Sequence, residues 1–92
     1  MEEFIVASFR SRTQVIYYDK LLKKSKIVSE VISTPKEIAI GCGFSVKIPK
    51  ESYNDAKKIY EKYRPHSFVG FYSILKDKSS SKITSMWQSR ID

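Results

Sequence analysis

Residues 4–9 (Phe-Ile-Val-Ala-Ser-Phe) form a short apolar run of strand-forming residues and predict a first strand. Ser11 and Gln14 follow in S-x-x-Q spacing, a helix-start signal in which two side chains satisfy the first backbone N–H groups. Val15, Tyr18 and Leu22 then recur at helical spacing, and Lys20, Lys23, Lys24 and Lys26 crowd the far end, where cations complement the helix dipole. Residues 27–32, with Val28, Val31 and Ile32 as apolar content, predict a second strand. Thr34-Pro35-Lys36-Glu37 has capping-box spacing with proline at the first helical position, and predicts a helix of about one turn that Gly41-Cys42-Gly43 stops. Phe44, Val46 and Ile48 alternate with Ser45 and Lys47, a strand that Pro49 ends. Ser52 with Asp55 opens a second long helix whose stripe is Tyr53, Ala56, Ile59, Tyr60 and Tyr63, closed by Pro65. Residues 68–75, interrupted by Gly70, predict a fourth strand.

The order β-α-β-β-α-β is the ferredoxin-like signature, an α+β fold. It predicts a four-stranded antiparallel sheet with both helices on one face and a C-terminal extension. Right-handed crossovers place the first and third strands side by side at the sheet centre. The expected domain is 1–75. Residues 76–92 read as a basic tail with the linker-like Ser79-Ser80-Ser81. Within it Ile83, Met86, Trp87 and Ile91 have helical spacing, so the tail is either a short amphipathic helix docked on an apolar surface or a frayed end.

Ninety-two residues suffice for one domain. A hydrophobic fraction of 41% is enough for a packed core and too much for a disordered chain. The single cysteine excludes an internal disulfide. Met1-Glu2-Glu3 opens without the basic segment of a signal peptide, and no apolar run approaches the roughly 20 residues of a membrane span, so the expected location is cytoplasmic. The formal charge of +7 suits an acidic partner, although lysine-rich helix surfaces that serve solubility give the same number.

The topology brings three connections to one edge of the sheet. They hold Arg10-Ser11-Arg12, the segment from Thr34 to Gly43, and Arg64-Pro65-His66. Cys42 therefore enters the third strand beside the end of the first, near the start of the first helix and near arginines. Cations and helix N-termini activate a thiol as a nucleophile; the C-terminus of the expected one-turn helix before Cys42 opposes them. Two readings stay open: an exposed nucleophile between two glycines, or a small buried hydrophobe at a strand start. His66 is a candidate base for Cys42, set against a plain exposed loop histidine. One cysteine and one histidine do not suit a metal site, and no cofactor is expected. Residues 40–47 fall where an RNA-recognition motif carries its signature, but Ile40, Cys42 and Lys47 replace its basic residue and two of its aromatics, so nucleic acid is disfavoured.

Ser33-Thr34-Pro35-Lys36-Glu37-Ile38 followed by Gly41-Cys42-Gly43 resembles the T-P-R-E-I…C-G segment of the selenium/sulfur carrier protein-like family of small bacterial proteins. The likeness extends over about residues 4–75 and includes Leu21-Leu22-Lys23 and the closing Gly70-Phe71-Tyr72-Ser73-Ile74. Lys36 stands in place of the usual arginine, and Ile40 and Gly41 stand where small hydroxyl residues often precede the cysteine. The resemblance implies that Cys42 is a carrier thiol holding sulfur or selenium as a persulfide or selenenylsulfide. Thr34, Pro35, Lys36, Glu37, Gly41, Gly43, Arg10 and Arg12 would support it. Its partners would be a protein donor and a protein acceptor, and it would be a carrier rather than an enzyme with turnover of its own. The alternative is a non-catalytic binding or regulatory module with a basic edge for an acidic partner.

Overall fold

The computed structural model describes residues 2–38 and 40–88. In chain order these form β1 (Glu2–Phe9), α1 (Arg12–Lys24), β2 (Glu30–Ser33), β3 (Phe44–Pro49), α2 (Tyr53–Tyr63), β4 (Phe68–Lys76) and β5 (Ser81–Gln88), with a short 3-10 turn at Lys50–Ser52 before α2. The chain is α+β. Its sheet is antiparallel throughout, in the order β2-β3-β1-β4-β5. The first and third strands are neighbours, as expected; the expected four strands are five.

β1 lies between β3 and β4, and Phe4 through Phe9 are all buried. A strand covered on both faces reads as a continuous apolar run rather than an alternation, which is the pattern of residues 4–9. On one face Ile5, Ala7 and Phe9 meet Val15, Tyr18 and Leu22 of α1 and Ala56 and Tyr60 of α2. On the other, Phe4 and Val6 meet Val69, Tyr72 and Ile74, with Ile38 of the β2–β3 connection closing the cluster and Ile32 and Ile83 at its margin.

The helices start where the spacing of Ser11 and Ser52 places them, but neither serine makes a side-chain cap hydrogen bond. Gln14 is diverted: its Oε1 accepts from the His66 N–H at 2.8 Å. Lys26 takes a left-handed turn at φ 63°, and the Ile27 N–H closes the exit of α1 by donating to Leu22 O at 2.9 Å. That exit uses up Ile27, so β2 begins at Glu30 rather than at residue 27. On α2, Ala56 and Tyr60 are buried and Ile59 and Tyr53 half-buried, but Tyr63, expected in the stripe, is 41% exposed.

Two expectations are corrected. The one-turn helix expected after Thr34 is instead a non-helical turn at Lys36 and Glu37, in which the Ile38 N–H donates to Pro35 O at 2.9 Å. Thr34 does not cap it, because its hydroxyl is bonded to Ser45 Oγ at 2.7 Å. Gly41 is thus no helix cap, and the opposing dipole expected before Cys42 falls away. The amphipathic helix expected in the tail is the strand β5, joined to β4 by a turn in which the Asp77 N–H donates to Ser80 O at 2.8 Å. A register shift explains the misleading spacing. Phe71 pairs with Trp87 but Tyr72 with Ser85, so Met86 is an extra residue on β5. Ile83 consequently packs on one face of the sheet and Trp87 on the other, where it stacks on Phe68 at 5.7 Å. Ile91, the last member of that spacing, lies outside the described residues, as does Ala39 of the expected one-turn helix.

Candidate functional site

Three backbone N–H groups lash three connections together at the edge where β1 ends. Cys42 N–H donates to Phe9 O at 2.9 Å, Arg10 N–H to Ser67 O at 2.8 Å, and His66 N–H to Gln14 Oε1 at 2.8 Å. The sequence brings together Arg10, Arg12, Cys42 and His66 by topology, and these bonds fix the loops that carry them.

The described residues among 34–43 form a strap against the sheet face away from the helices. Thr34 holds one end twice: its N–H donates to Gly43 O at 2.8 Å, and its hydroxyl pairs with Ser45 Oγ. Ile38, 7% exposed, anchors the middle in the core on the face away from the helices. Ser8 Oγ donates to Ile40 O at 3.0 Å. Gly41 sits at φ 141°, and a Cβ there would lie 2.7 Å from Ser8 Oγ and 3.2 Å from Phe9 O, so only glycine lets the strap approach β1 this closely. Gly43 has φ 92° with open space around it; there the backbone conformation, not crowding, favours glycine.

At the end of the strap Cys42 is half-buried, packed against the helix-side core, between two exposed glycines. Its thiol donates to Phe44 O at 3.4 Å, not to His66. The Arg12 guanidinium lies 4.6 Å from the Phe44 ring centroid, a cation–π contact that brings the arginine to the site through the ring rather than onto the sulfur. Arg10, Lys36, Glu37 and His66 are exposed; Thr34 and Pro35 are half-buried. The first turn of α1 carries no acidic residue. Three acids gather at the opposite end of the sheet: Lys47 meets Glu2 at 3.1 Å and Glu30 at 4.0 Å, and Lys50 meets Glu3 at 3.1 Å. The hydrogen bond that Lys50 donates to the Glu3 carboxylate raises the lysine above its ordinary value. A cavity of about 420 Å³ also lies at that far end, between Phe4, Val28 and Pro49. Among the described residues no three His, Cys, Asp or Glu side chains are grouped to hold a metal ion.

Sequence reasoning missed Ser8, Ile38, Phe44 and Ser45. The signal for one of them was present: Ser8 interrupts an apolar run, and a buried hydroxyl needs a partner. Both Ser8 and Ser45 are fully buried and hydrogen-bonded.

These features define a class: a small α+β protein that presents one glycine-flanked thiol at a basic edge. Residues 4–78 match the family model described as "Putative Se/S carrier protein-like", and the chain belongs to that family. The match spans β1 to β4; β5 lies beyond it. No curated protein and no solved structure matches the chain. No helix among the described residues is long and apolar enough to cross a membrane.

Proposed function

We propose that the protein carries sulfur or selenium on Cys42. The observation that carries this reading is the placement of the chain's one thiol, half-buried between two exposed glycines, on the strap of a chain that belongs to a selenium/sulfur carrier family. The Cys42 thiolate attacks the terminal sulfur of a donor protein's persulfide. The new S–S bond forms on Cys42, the donor's S–S bond breaks, and the donor leaves as a thiolate. A terminal selenium transfers in the same way and gives a selenenylsulfide. An acceptor then attacks the terminal atom and regenerates the Cys42 thiolate. The absence of a second cysteine suits this role, because a resolving thiol would expel the cargo by closing a disulfide. Arg10, Arg12 and the start of α1 belong to the edge that a partner would approach. The strap residues Thr34, Pro35, Gly41 and Gly43 set the position of the sulfur, and exposed Lys36 and Glu37 face a partner. His66 is a candidate base for removing the proton of the resting Cys42 thiol, which Phe44 O accepts in the structure. We read β1 to β4 as the ferredoxin-like core with β5 appended, working in the reducing cytoplasm, where the thiol stays reduced.

One observation favours the second reading, a binding module in which Cys42 merely packs: the sulfur touches the helix-side core and its proton is held by Phe44 O. Incubation with a cysteine desulfurase and cysteine separates the two. Intact-protein mass is expected to rise by one sulfur atom in the wild type, to return on treatment with a thiol reductant, and not to rise in Cys42→Ser. A wild type that gains nothing, or a Cys42→Ser protein that gains as much, overturns the carrier reading.

A further inference from the structure

The outward surface of α1 departs from what an amphipathic helix needs. Arg12, Ile16, Lys20 and Lys24 stand four residues apart and form one row along the helix, all exposed. Tyr17 lies beside the row. Ile16 is 43% exposed and Tyr17 41%, so two large apolar side chains sit among cations on a face that packing leaves open. The helix has four cations and one carboxylate, Asp19, and that carboxylate is already engaged. It is 7% exposed and bonded to Lys23 Nζ at 2.7 Å and to Ser29 Oγ at 2.7 Å. Among the described residues no ion pair engages Arg12, Lys20 or Lys24. The row begins at Arg12, whose guanidinium lies over Phe44, the residue whose carbonyl accepts the Cys42 thiol. Glu2 and Glu3 are engaged at the opposite end of the sheet, with Lys47 and Lys50.

We propose that the outer row of α1 is the docking surface for the protein that exchanges cargo with Cys42, and that this partner presents an acidic face around an apolar contact for Ile16. The proposal rests on the carrier reading and adds where and how the partner binds. A phosphate backbone would answer the lysines but leave Ile16 without a partner. An acidic protein face answers both, with the charges setting encounter rate and register and the apolar contact setting residence.

The test uses two short helical peptides, each bearing a single terminal cysteine as its persulfide. One has glutamates flanking a row of leucines; the other has lysines in place of the glutamates. An uncharged low-molecular-weight persulfide serves as reference, and sulfur on Cys42 is followed by intact mass. The wild type is expected to take sulfur from the acidic peptide at least about tenfold faster than from the basic one at low salt. The difference should close near ~1 M salt, where the screening length is about 3 Å. Lys20→Glu with Lys24→Glu should abolish or invert the preference, and Ile16→Ser should slow the acidic peptide, all with unchanged reference rate and unchanged melting cooperativity. Equal peptide rates in the wild type, or a preference that survives these substitutions, overturns the docking surface while leaving the carrier reading intact. A mixed-sequence RNA oligonucleotide bound through Lys20 and Lys24 without any peptide preference assigns the face to nucleic acid and also overturns it. Failure of the wild type to accept sulfur from the uncharged persulfide overturns the carrier reading itself, and the docking surface with it.

Discussion

The two faces of the sheet are closed by different means. On one, two helices with regular apolar stripes cover Ile5, Ala7, Phe9 and Phe71. On the other, one irregular strap, held by Ile38 and a few hydroxyl groups, closes over Phe4, Val6 and Ile74. The helix side draws its stability from many interdigitated contacts, including Phe71 set edge-on to Tyr53 at 5.4 Å and to Phe68 at 4.9 Å. The strap side depends on a few anchors: Ile38, Ser8 and the Thr34–Ser45 pair. Cys42 lies where the two meet: its backbone belongs to the strap and its sulfur touches the helix-side core. On the carrier reading, partner access to the thiol depends on the side held by few anchors, the side whose local opening is expected to be easiest.

The largest effect is expected on the helix side. Phe71→Ala should cost about 3–5 kcal/mol in denaturant melts, because Phe71 is fully buried among aromatic rings. A cost below about 1 kcal/mol would break the claim that this face carries most of the stability. On the strap side, Ile38→Ala should cost about 2–3 kcal/mol and should also speed alkylation of Cys42, since it frees the middle of the strap. A stability loss without faster alkylation would show that the strap does not govern access to the sulfur.

Smaller effects sharpen the same contrast. Gly41→Ala should cost about 1–3 kcal/mol, since it combines a positive φ with a 2.7 Å approach to Ser8 Oγ. Gly43→Ala, with open space around it, should cost less than Gly41→Ala. Adding Ser8→Ala to Gly41→Ala should recover part of the loss, because the nearest clashing atom is then gone. Equal costs at the two glycines would mean that close approach to β1 is unimportant. On the helix side the Tyr18 hydroxyl, buried between α1 and α2, donates to Ala56 O at 2.6 Å. Burial, and secondarily the neighbouring Tyr60, pushes its phenol above the ordinary value. The unfolded chain therefore releases this proton first, so its contribution is intact below about pH 10 and stability falls as pH rises above that value. Tyr18→Phe should cost about 0.5–1.5 kcal/mol at neutral pH and flatten the alkaline decline. A decline of unchanged slope would remove Tyr18 as its cause.

Periodicity made the helix side legible. Val15, Tyr18 and Leu22 on α1, Ala56 and Tyr60 on α2, and the alternation of Phe44, Val46 and Ile48 all place residues that pack there. The serines at positions 11 and 52 marked the helix starts even though their side chains do not cap them. The other side left little periodic signal. The strap is an irregular segment whose order comes from long-range partners, Ser8 and Ser45, which local spacing does not reveal. The same local reading turned Thr34 and Glu37 into a helix cap and, because one extra residue at Met86 changed the strand period, turned β5 into a helix. For the site, topology alone put Cys42, Arg10, Arg12 and His66 on neighbouring loops. It did not indicate that Arg12 engages Phe44, or that Gly41 is required by Ser8.

The central claim is that the Cys42 sulfur is reachable in the folded protein. Iodoacetamide alkylation under native conditions, compared with the global unfolding rate measured in the same buffer, tests it most directly. The account predicts that Cys42 is modified in the native state, faster than the chain unfolds, with the fold's melting cooperativity retained during the reaction. Modification that proceeds only at the global unfolding rate would contradict it: the sulfur would then be a packing group of the helix-side core, and no partner could exchange cargo with it.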